Sequence, residues 1–360
     1  MDRPAVLLGM SGGIDSSVAA ALLVRQGYEV HGVTLQVWEH EDDTVAASKK
    51  WQERGCCKIG IARHVAKTLD IPHEVIDTRL SFRQGVIEDF LTGYAEGITP
   101  NPCVRCNERV KIKRLMELAD TRGIQIVATG HYVRVIAKEG TPVLSRSIDE
   151  KKDQSYFLYR VKPEWVPRLL FPVGGMRKSE VWREAEALGL PAEEMKESQE
   201  ICFVSHGNYR GFIEKETPQA RQPGVFVDET GRYLGRHEGI AFYTPGQRRG
   251  LGISAPQRLY VQQVQPATNI VVLGPEASLR RGWCDVSDLN LFDTTLLNEP
   301  RDVQVKVRYA TPAAAATLLP LDSTRLRIQF QEPQRALSPG QSAVFYQEDE
   351  VLGGGIIQAM

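Results

Sequence analysis

A chain of 360 residues with 42% hydrophobic and 25% charged residues has the composition of a folded protein of two or three domains, and excludes a disordered, collagenous or disulfide-stapled chain. Forty-four Lys and Arg against forty-five Asp and Glu leave a formal charge of -1, so no global basic field announces a nucleic acid and any polyanion must be met by local patches. No apolar run approaches the ~18 residues of a membrane span, and Ala5 to Met10 is too short for a signal-peptide core, which predicts a cytoplasmic protein with no membrane partner.

The first 135 residues alternate short apolar runs with helical periodicity, the pattern of βαβ units around a mostly parallel sheet. Strands are expected at 6–8, 30–37, 73–76 and 124–128, and helices at 16–26, 80–94 and 107–122. The last helix carries Ile112, Leu115, Met116 and Ala119 on one stripe. Residues 99–106 (TPNPCVRC) hold two prolines and predict a loop before it. A further helix at 178–187 would put Trp182 in the core, and His73, beside a proline at a strand start, reads as a packed residue. Beyond about residue 205 proline, glycine and short β-rich runs take over, and VQVKVRY, RLRIQF, SAVFYQ and VLGGGII between turn signals predict a small β-barrel or sandwich. The expected fold is therefore α/β: a Rossmann-like domain at 1–206, a small β-rich central domain at 207–277 and a C-terminal β-barrel at 278–360.

Gly9, Met10, Ser11, Gly12, Gly13, Ile14, Asp15 and Ser16 lie between the first strand and the first helix. Adjacent glycines let backbone N–H groups turn toward an anion, and the following helix N-terminus adds partial positive charge, so a phosphate fits there. The loop is neither a Walker loop, for no Gly-Lys-Ser/Thr occurs in the chain, nor the dinucleotide G-x-G-x-x-G. It resembles the SGGxDS pyrophosphate loop of the ATP-pyrophosphatase families, whose members include GMP synthetase, NAD synthetase, argininosuccinate synthetase and tRNA thiolases. That resemblance implies ATP as cosubstrate and Mg²⁺, which Asp15 would help to place.

Six cysteines without a targeting signal argue against a disulfide framework. Cys103 and Cys106 form a C-x-x-C with Arg105 and Arg109 close by to lower a thiol pKa, and Cys202 sits in ESQEICF about a hundred residues later. A thiolate can carry a sulfane sulfur as a persulfide and can attack one to release it. A zinc site is less well served, because one C-x-x-C with no following H-x-x-x-H does not supply four ligands. Adjacent Cys56 and Cys57 have poor geometry for one tetrahedral metal and read as structural or incidental.

PNPCVRCN at 100–107, KDQSYFL at 152–158, ESQEICF at 197–203, TPGQRRGLGI at 244–253, VKVRY at 305–309 and SPGQSAVFY at 338–346 resemble, in order and nearly end to end, the tRNA-specific 2-thiouridylase family. The resemblance implies adenylation of the C2 oxygen of the wobble uridine in tRNAs for Lys, Glu and Gln, then replacement by sulfur from a persulfide donor, a sulfur-relay protein or a cysteine desulfurase. Carried over position by position, Cys106 is the nucleophile and Cys202 carries the persulfide. Gly9 to Ser16 with Leu35 and Gly130 hold ATP. Asn101, Pro102 and Cys103 face the target base, and His131, Lys152, Asp153, Gln154, Arg308, Tyr309 and Gln341 contact tRNA. The chain departs from some members in carrying Cys103 where they have an aspartate that serves as general base. A rival route follows from that departure: Cys103, Cys106 and Cys202 as three ligands of an iron–sulfur cluster.

Local charge agrees with an RNA partner. Arg105, Arg109, Lys111, Lys113 and Arg114 cluster with only Glu108 against them, and Gln247, Arg248 and Arg249 follow a Pro-Gly turn. An amide-forming ligase using the same loop would need no distant pair of thiols, and an RNA-binding module with a vestigial loop would not need to keep Asp15 or the cysteines.

Overall fold

The computed structural model describes residues 3–38, 58–190, 201–204 and 208–359. The chain divides into two compact units: Met1–Val86, Cys103–Gly207 and Asp349–Val351 form the first, and Ile87–Pro102, Asn208–Glu348 and Leu352–Met360 form the second. Among the described residues no helix is long and apolar enough to cross a membrane.

Unit 1 is built on strands β1 (Ala5–Gly9), β2 (Glu29–Gln36), β3 (His73–Asp77) and β4 (Ile126–Thr129), followed by the hairpin of β5 (Val133–Lys138) and β6 (Thr141–Arg146) and the short β7 (Leu169–Leu170). Five strands form a parallel sheet in the order β3-β2-β1-β4-β7. Val6, Leu7 and Leu8 are all fully buried, as a central strand covered on both faces requires. Helices α1 (Ile14–Arg25) and α2 (Ile59–Thr68) bring Val18, Ala19, Leu23, Ile61, Ala62 and Val65 onto Val6 and Leu8. The expected strands and helices of this domain are found with ends moved by a few residues. The helix at Lys178–Ala187 keeps Trp182 partly buried against the same core, and half-buried His73 shares a 2.8 Å hydrogen bond with the Thr34 hydroxyl.

One expectation is corrected. Residues 99–106 are not all loop, because helix begins at Pro102 and runs through Pro102–Cys106, a π turn at Asn107–Lys111 and Ile112–Thr121 without a break. Proline at the first helical position forfeits no hydrogen bond and presents a φ already suited to the helix, so here it starts the element it was expected to prevent. A second π turn at Arg83–Ile87 faces the first, with Arg109 Nη1 donating to the Gly85 carbonyl at 3.1 Å. Cys56, Cys57 and Glu197 to Glu200 lie outside the described residues.

Unit 2 holds a four-stranded sheet, β8 (Gly224–Asp228), β9 (Tyr233–His237), β10 (Tyr260–Gln265) and β11 (Ile270–Gly274), in the order β10-β11-β8-β9. After it come β12 (Arg280–Leu291), β13 (Arg301–Lys306), β14 (Ala314–Asp322), β15 (Arg325–Arg335), β16 (Ser342–Gln347) and β17 (Glu350–Ile357). These run β12-β15-β14-β13-β16-β17, and β17 pairs back onto β12, which closes an antiparallel barrel and leaves no bare edge. Gly353, at φ 135, makes the closure possible: a Cβ there would stand 2.4 Å from the Asn290 carbonyl. Inward residues including Cys284, Val305, Leu318, Ile328 and Phe345 fill the interior.

Because Phe345 is fully buried in that interior, Phe345→Ala should cost about 3–5 kcal/mol, whereas Tyr233→Ala, at a residue 59% exposed, should stay within about 0.5 kcal/mol. Urea midpoints of the two variants check the contrast.

Candidate nucleotide site and thiols

The order β3-β2-β1-β4-β7 changes direction between β1 and β4, and in open α/β sheets the crevice beyond the carboxyl ends at such a point is where ligands sit. Gly9 and Thr129 are register partners at this end, so the Gly9–Ser16 segment and Gly130-His131 leave the sheet side by side. A Cβ on Gly130 would be 2.6 Å from the Ser16 nitrogen, so only glycine lets the two segments lie this close. Met10 anchors the start of the loop, its N–H donating to Val33 and its carbonyl accepting from the Thr34 hydroxyl at 2.7 Å. Met10, Ile14 and Leu35 are buried and contribute packing around the loop.

The loop is held in shape by its own serines. Ser16 Oγ and Ser17 Oγ each donate to the Gly13 carbonyl at 3.0 Å, and Ser11 Oγ accepts from the Gly13 N–H at 3.3 Å. No side chain caps α1, which leaves its first-turn N–H groups available to an anion. The two glycines differ in constraint. Gly12 has φ 75, and a Cβ there would stand 2.1 Å from the Lys58 carbonyl, whereas a Cβ on Gly13 would meet only Ser11 Oγ at 3.4 Å.

Lys178 and Tyr132 belong to this site and were not among the expected residues. Lys178 Nζ lies 2.7 Å from Asp15 Oδ1, and Tyr132 Oη donates to the same oxygen at 2.8 Å. Lys178 is buried, flanked by the rings of Tyr132 and Trp182, and stands at the first position of its helix, where the dipole disfavours a cation. A lysine opening an amphipathic helix is the only trace it leaves in the sequence. Of the Asp15 carboxylate, Oδ1 is thus engaged by an ammonium group and a phenol.

Cys103, Cys106 and Cys202 all lie in unit 1 and take part in no disulfide. Cys106 is buried in the helix that starts at Pro102, Cys103 is exposed one turn earlier, and Cys202 is half-buried. Next to Cys202, the Phe203 ring meets Trp38 and Phe82 edge-on. Two residues on from Cys106 in sequence, three guanidiniums share one carboxylate: Glu108 holds Arg105 at 3.0 Å, Arg160 at 2.8 Å and Arg109 at 3.9 Å. Among the described residues no three His, Cys, Asp or Glu side chains are grouped as metal ligands, so Cys103, Cys106 and Cys202 do not present a cluster site. Cys284 is a barrel-core residue whose thiol burial pushes up to about 12.

The expected RNA contacts are partly turned inward. Asp153 accepts from the Ser147 and Ser155 N–H groups and from the Ser155 hydroxyl at 2.8 Å. Gln154 exchanges two bonds with the Tyr132 backbone, and Lys152 is half-buried. Asn101 and Pro102 close a segment of unit 2. In the same unit Arg308 Nη2 donates to the Ala336 carbonyl at 2.8 Å and Ser338 Oγ at 3.0 Å, Gln341 Nε2 donates to the Thr99 carbonyl at 2.8 Å, and Tyr309 is exposed beneath Lys306. From beyond the basic run, Glu117 pairs with Lys113 and Arg114. Burial, with the Lys111 charge second, pushes the His131 imidazole down to about 3, so it meets any ligand as a neutral group.

Residues 4–206 match the family of tRNA methyl transferase HUP domains, 210–275 the tRNA methyl transferase PRC-barrel domain and 281–357 the aminomethyltransferase beta-barrel domain. A curated protein of Clostridium perfringens named tRNA-specific 2-thiouridylase MnmA is 41% identical over 365 residues, covering 100% of both chains. One of the same name from Acetivibrio thermocellus is 43% identical, covering 99% of this chain and 100% of its own. Among solved structures, a 4-thiouridine synthetase–RNA complex with bound ATP aligns at a TM-score of 0.34 and 14% identity over 60% of this chain and 51% of that one.

Two outcomes follow from the geometry. Gly12→Ala should weaken ATP binding at least about tenfold, since the loop must open to admit the methyl group, and Gly13→Ala should weaken it far less; titration calorimetry of both variants separates them. The His131 imidazole should not titrate between pH 8 and pH 5 in the folded protein. An unfolded histidine gains its proton near 6.5, so the contribution of His131 to stability is present above that pH and is lost as pH falls toward 3. Imidazole NMR shifts of wild type against His131→Asn test this, and a midpoint near 6.5 would contradict it.

Proposed function

We propose that this chain, which belongs to the tRNA-specific 2-thiouridylase family, thiolates C2 of the wobble uridine in tRNAs for Lys, Glu and Gln at the expense of ATP. The observation that carries this reading is that one compact unit contains both halves of the chemistry, an uncapped glycine loop at the sheet's switch point and the thiols Cys106 and Cys202. Methyl transfer, named in the matched family's description, has no use for a pyrophosphate loop.

In this reading the uridine O2 attacks the α-phosphorus of ATP, the bond to the β-phosphate breaks, and pyrophosphate leaves into the Gly9–Ser16 loop beside Lys178. Mg²⁺ carried in on the ATP phosphates supplies further charge neutralisation. Cys202 bears a persulfide taken from a sulfur-relay protein or a cysteine desulfurase. The Cys106 thiolate attacks Cys202 Sγ, a disulfide forms between them, and hydrosulfide is released to add at C2 as AMP departs with the oxygen. An external thiol then reduces the disulfide. Asn101, Pro102 and Cys103 face the base, while His131, Lys152, Arg308, Tyr309 and Gln341 serve the tRNA, with Asp153 and Gln154 shaping the segment that presents Lys152. In this assignment residues 1–206 catalyse, and residues 207–277 and 278–360 hold the RNA. The persulfide route is preferred to a cluster because the exposed Cys103 and the buried Cys106 do not converge with Cys202 as ligands.

The test is the nucleoside mass spectrum of unmodified tRNA incubated with the protein, ATP, Mg²⁺ and a persulfide donor. Wild type and Cys103→Ser should yield 2-thiouridine, AMP and pyrophosphate, whereas Cys106→Ser and Cys202→Ser should release pyrophosphate on bound tRNA without thiolation. A Cys103→Ser protein that adenylates but does not thiolate would sink the persulfide assignment, and ADP as product would sink the loop assignment.

A further inference from the structure

Residues 247–261 form a loop that closes on itself inside unit 2. The Val261 N–H donates to the Gln247 carbonyl at 2.9 Å and the Gly246 N–H to the Val261 carbonyl at 2.8 Å, so both ends meet at one neck. Gly250 and Gly252, at φ 75 and 66, turn the chain through left-handed conformations. Leu251 is buried, and Ile253 lies so close to β9 that a Cβ on Gly235 would be 2.5 Å from its Cδ1. The loop is thus fastened to the sheet by its apolar residues and leaves its polar ones outside.

Those polar residues line an open groove of about 680 Å³, with Arg248, Ser254, Gln257 and Arg258 among its walls and no Asp or Glu. Elsewhere in unit 2, Arg210, Arg221, Arg301, Arg325, Arg327 and Arg335 each hold a carboxylate, whereas Arg232, Arg236, Arg249, Arg280 and Arg281 form no ion pair among the described residues but do not line the groove. Among the described residues Arg248 and Arg258 have none, and both are exposed. The neck adjoins Pro245, whose carbonyl accepts from Arg308 at 3.4 Å, so the groove is continuous with the part of the barrel already assigned to RNA.

We infer that the 247–261 loop is a phosphate-binding groove that grips the tRNA backbone through Arg248 and Arg258. Guanidinium groups with no internal carboxylate lose nothing when they meet a phosphate, bind it through two N–H groups at once, and release condensed counterions. The groove reads no base, and its contribution is affinity and register. This inference rests on the tRNA reading above and adds a site to it.

The experiment measures binding of an unmodified tRNA-Glu transcript across a salt series for wild type, the Arg248→Gln/Arg258→Gln double variant and Arg325→Gln, an arginine already paired with Asp322. The double variant should melt like wild type, bind about tenfold more weakly near 0.15 M salt, and show a slope of log K against log salt shallower by about 1 to 2. Arg325→Gln should match wild type. An unchanged slope in the double variant would overturn the groove while leaving the tRNA reading standing, and a wild-type protein that does not bind the transcript would overturn both. Inorganic phosphate is titrated in parallel. Micromolar binding that depends on Arg248 and Arg258, with tRNA affinity unaffected, would replace the groove by a small-anion site and count against the inference.

Discussion

A single oxygen, Asp15 Oδ1, joins three segments that are far apart in sequence. It lies at the start of α1, accepts from Tyr132 after β4, and pairs with Lys178 at the head of a later helix. Lys178 is buried and stands against its helix dipole, so the Asp15 carboxylate offsets a desolvated, unfavourably placed cation. The pair therefore fixes the position of each partner. It sets the approach of Gly130 to the α1 N-terminus, and through the Tyr132 backbone it reaches Gln154. A loop whose own serines bond the Gly13 carbonyl and N–H, mounted on that anchor, has its shape set before any ligand arrives.

The thiol side of unit 1 rests on a different device. The helix from Pro102 places Cys103 and Cys106 one turn apart, yet one is exposed and the other buried. Glu108, carrying three arginines, binds this helix to Arg160. The π turn at Asn107–Lys111 follows directly and shifts the register of side chains between the thiol and the apolar stripe of Ile112, Leu115, Met116 and Ala119.

In unit 2 several polar side chains first serve the fold. Arg308 bridges the Pro245 turn to residues 336–338, and Gln341 ties Thr99 to the barrel, so their geometry is fixed by backbone carbonyls. Groups held this way are presented to a ligand at little entropic cost. Arg248 and Arg258 are the opposite case, positioned by the neck and apolar contacts of their loop while their charges face solvent.

The sequence by itself determined the strands and helices of the first domain, the glycine loop, the spacing of the thiols and the short β-runs of the barrel, because each is written in local periodicity, turn chemistry or a contiguous motif. Even there it misread 99–106, since proline breaks a helix inside but suits its first turn, and only the packing of that segment chose between them. What the tertiary structure alone decided are the relations between distant residues. These are Lys178 and Tyr132 on Asp15, Glu117 against Lys113 and Arg114, Arg160 on Glu108, and the inward turn of Asp153 and Gln154. Composition counts charges but does not pair them. A pairing depends on which faces the fold brings within a few ångströms, and that distance is absent from the order of residues along the chain.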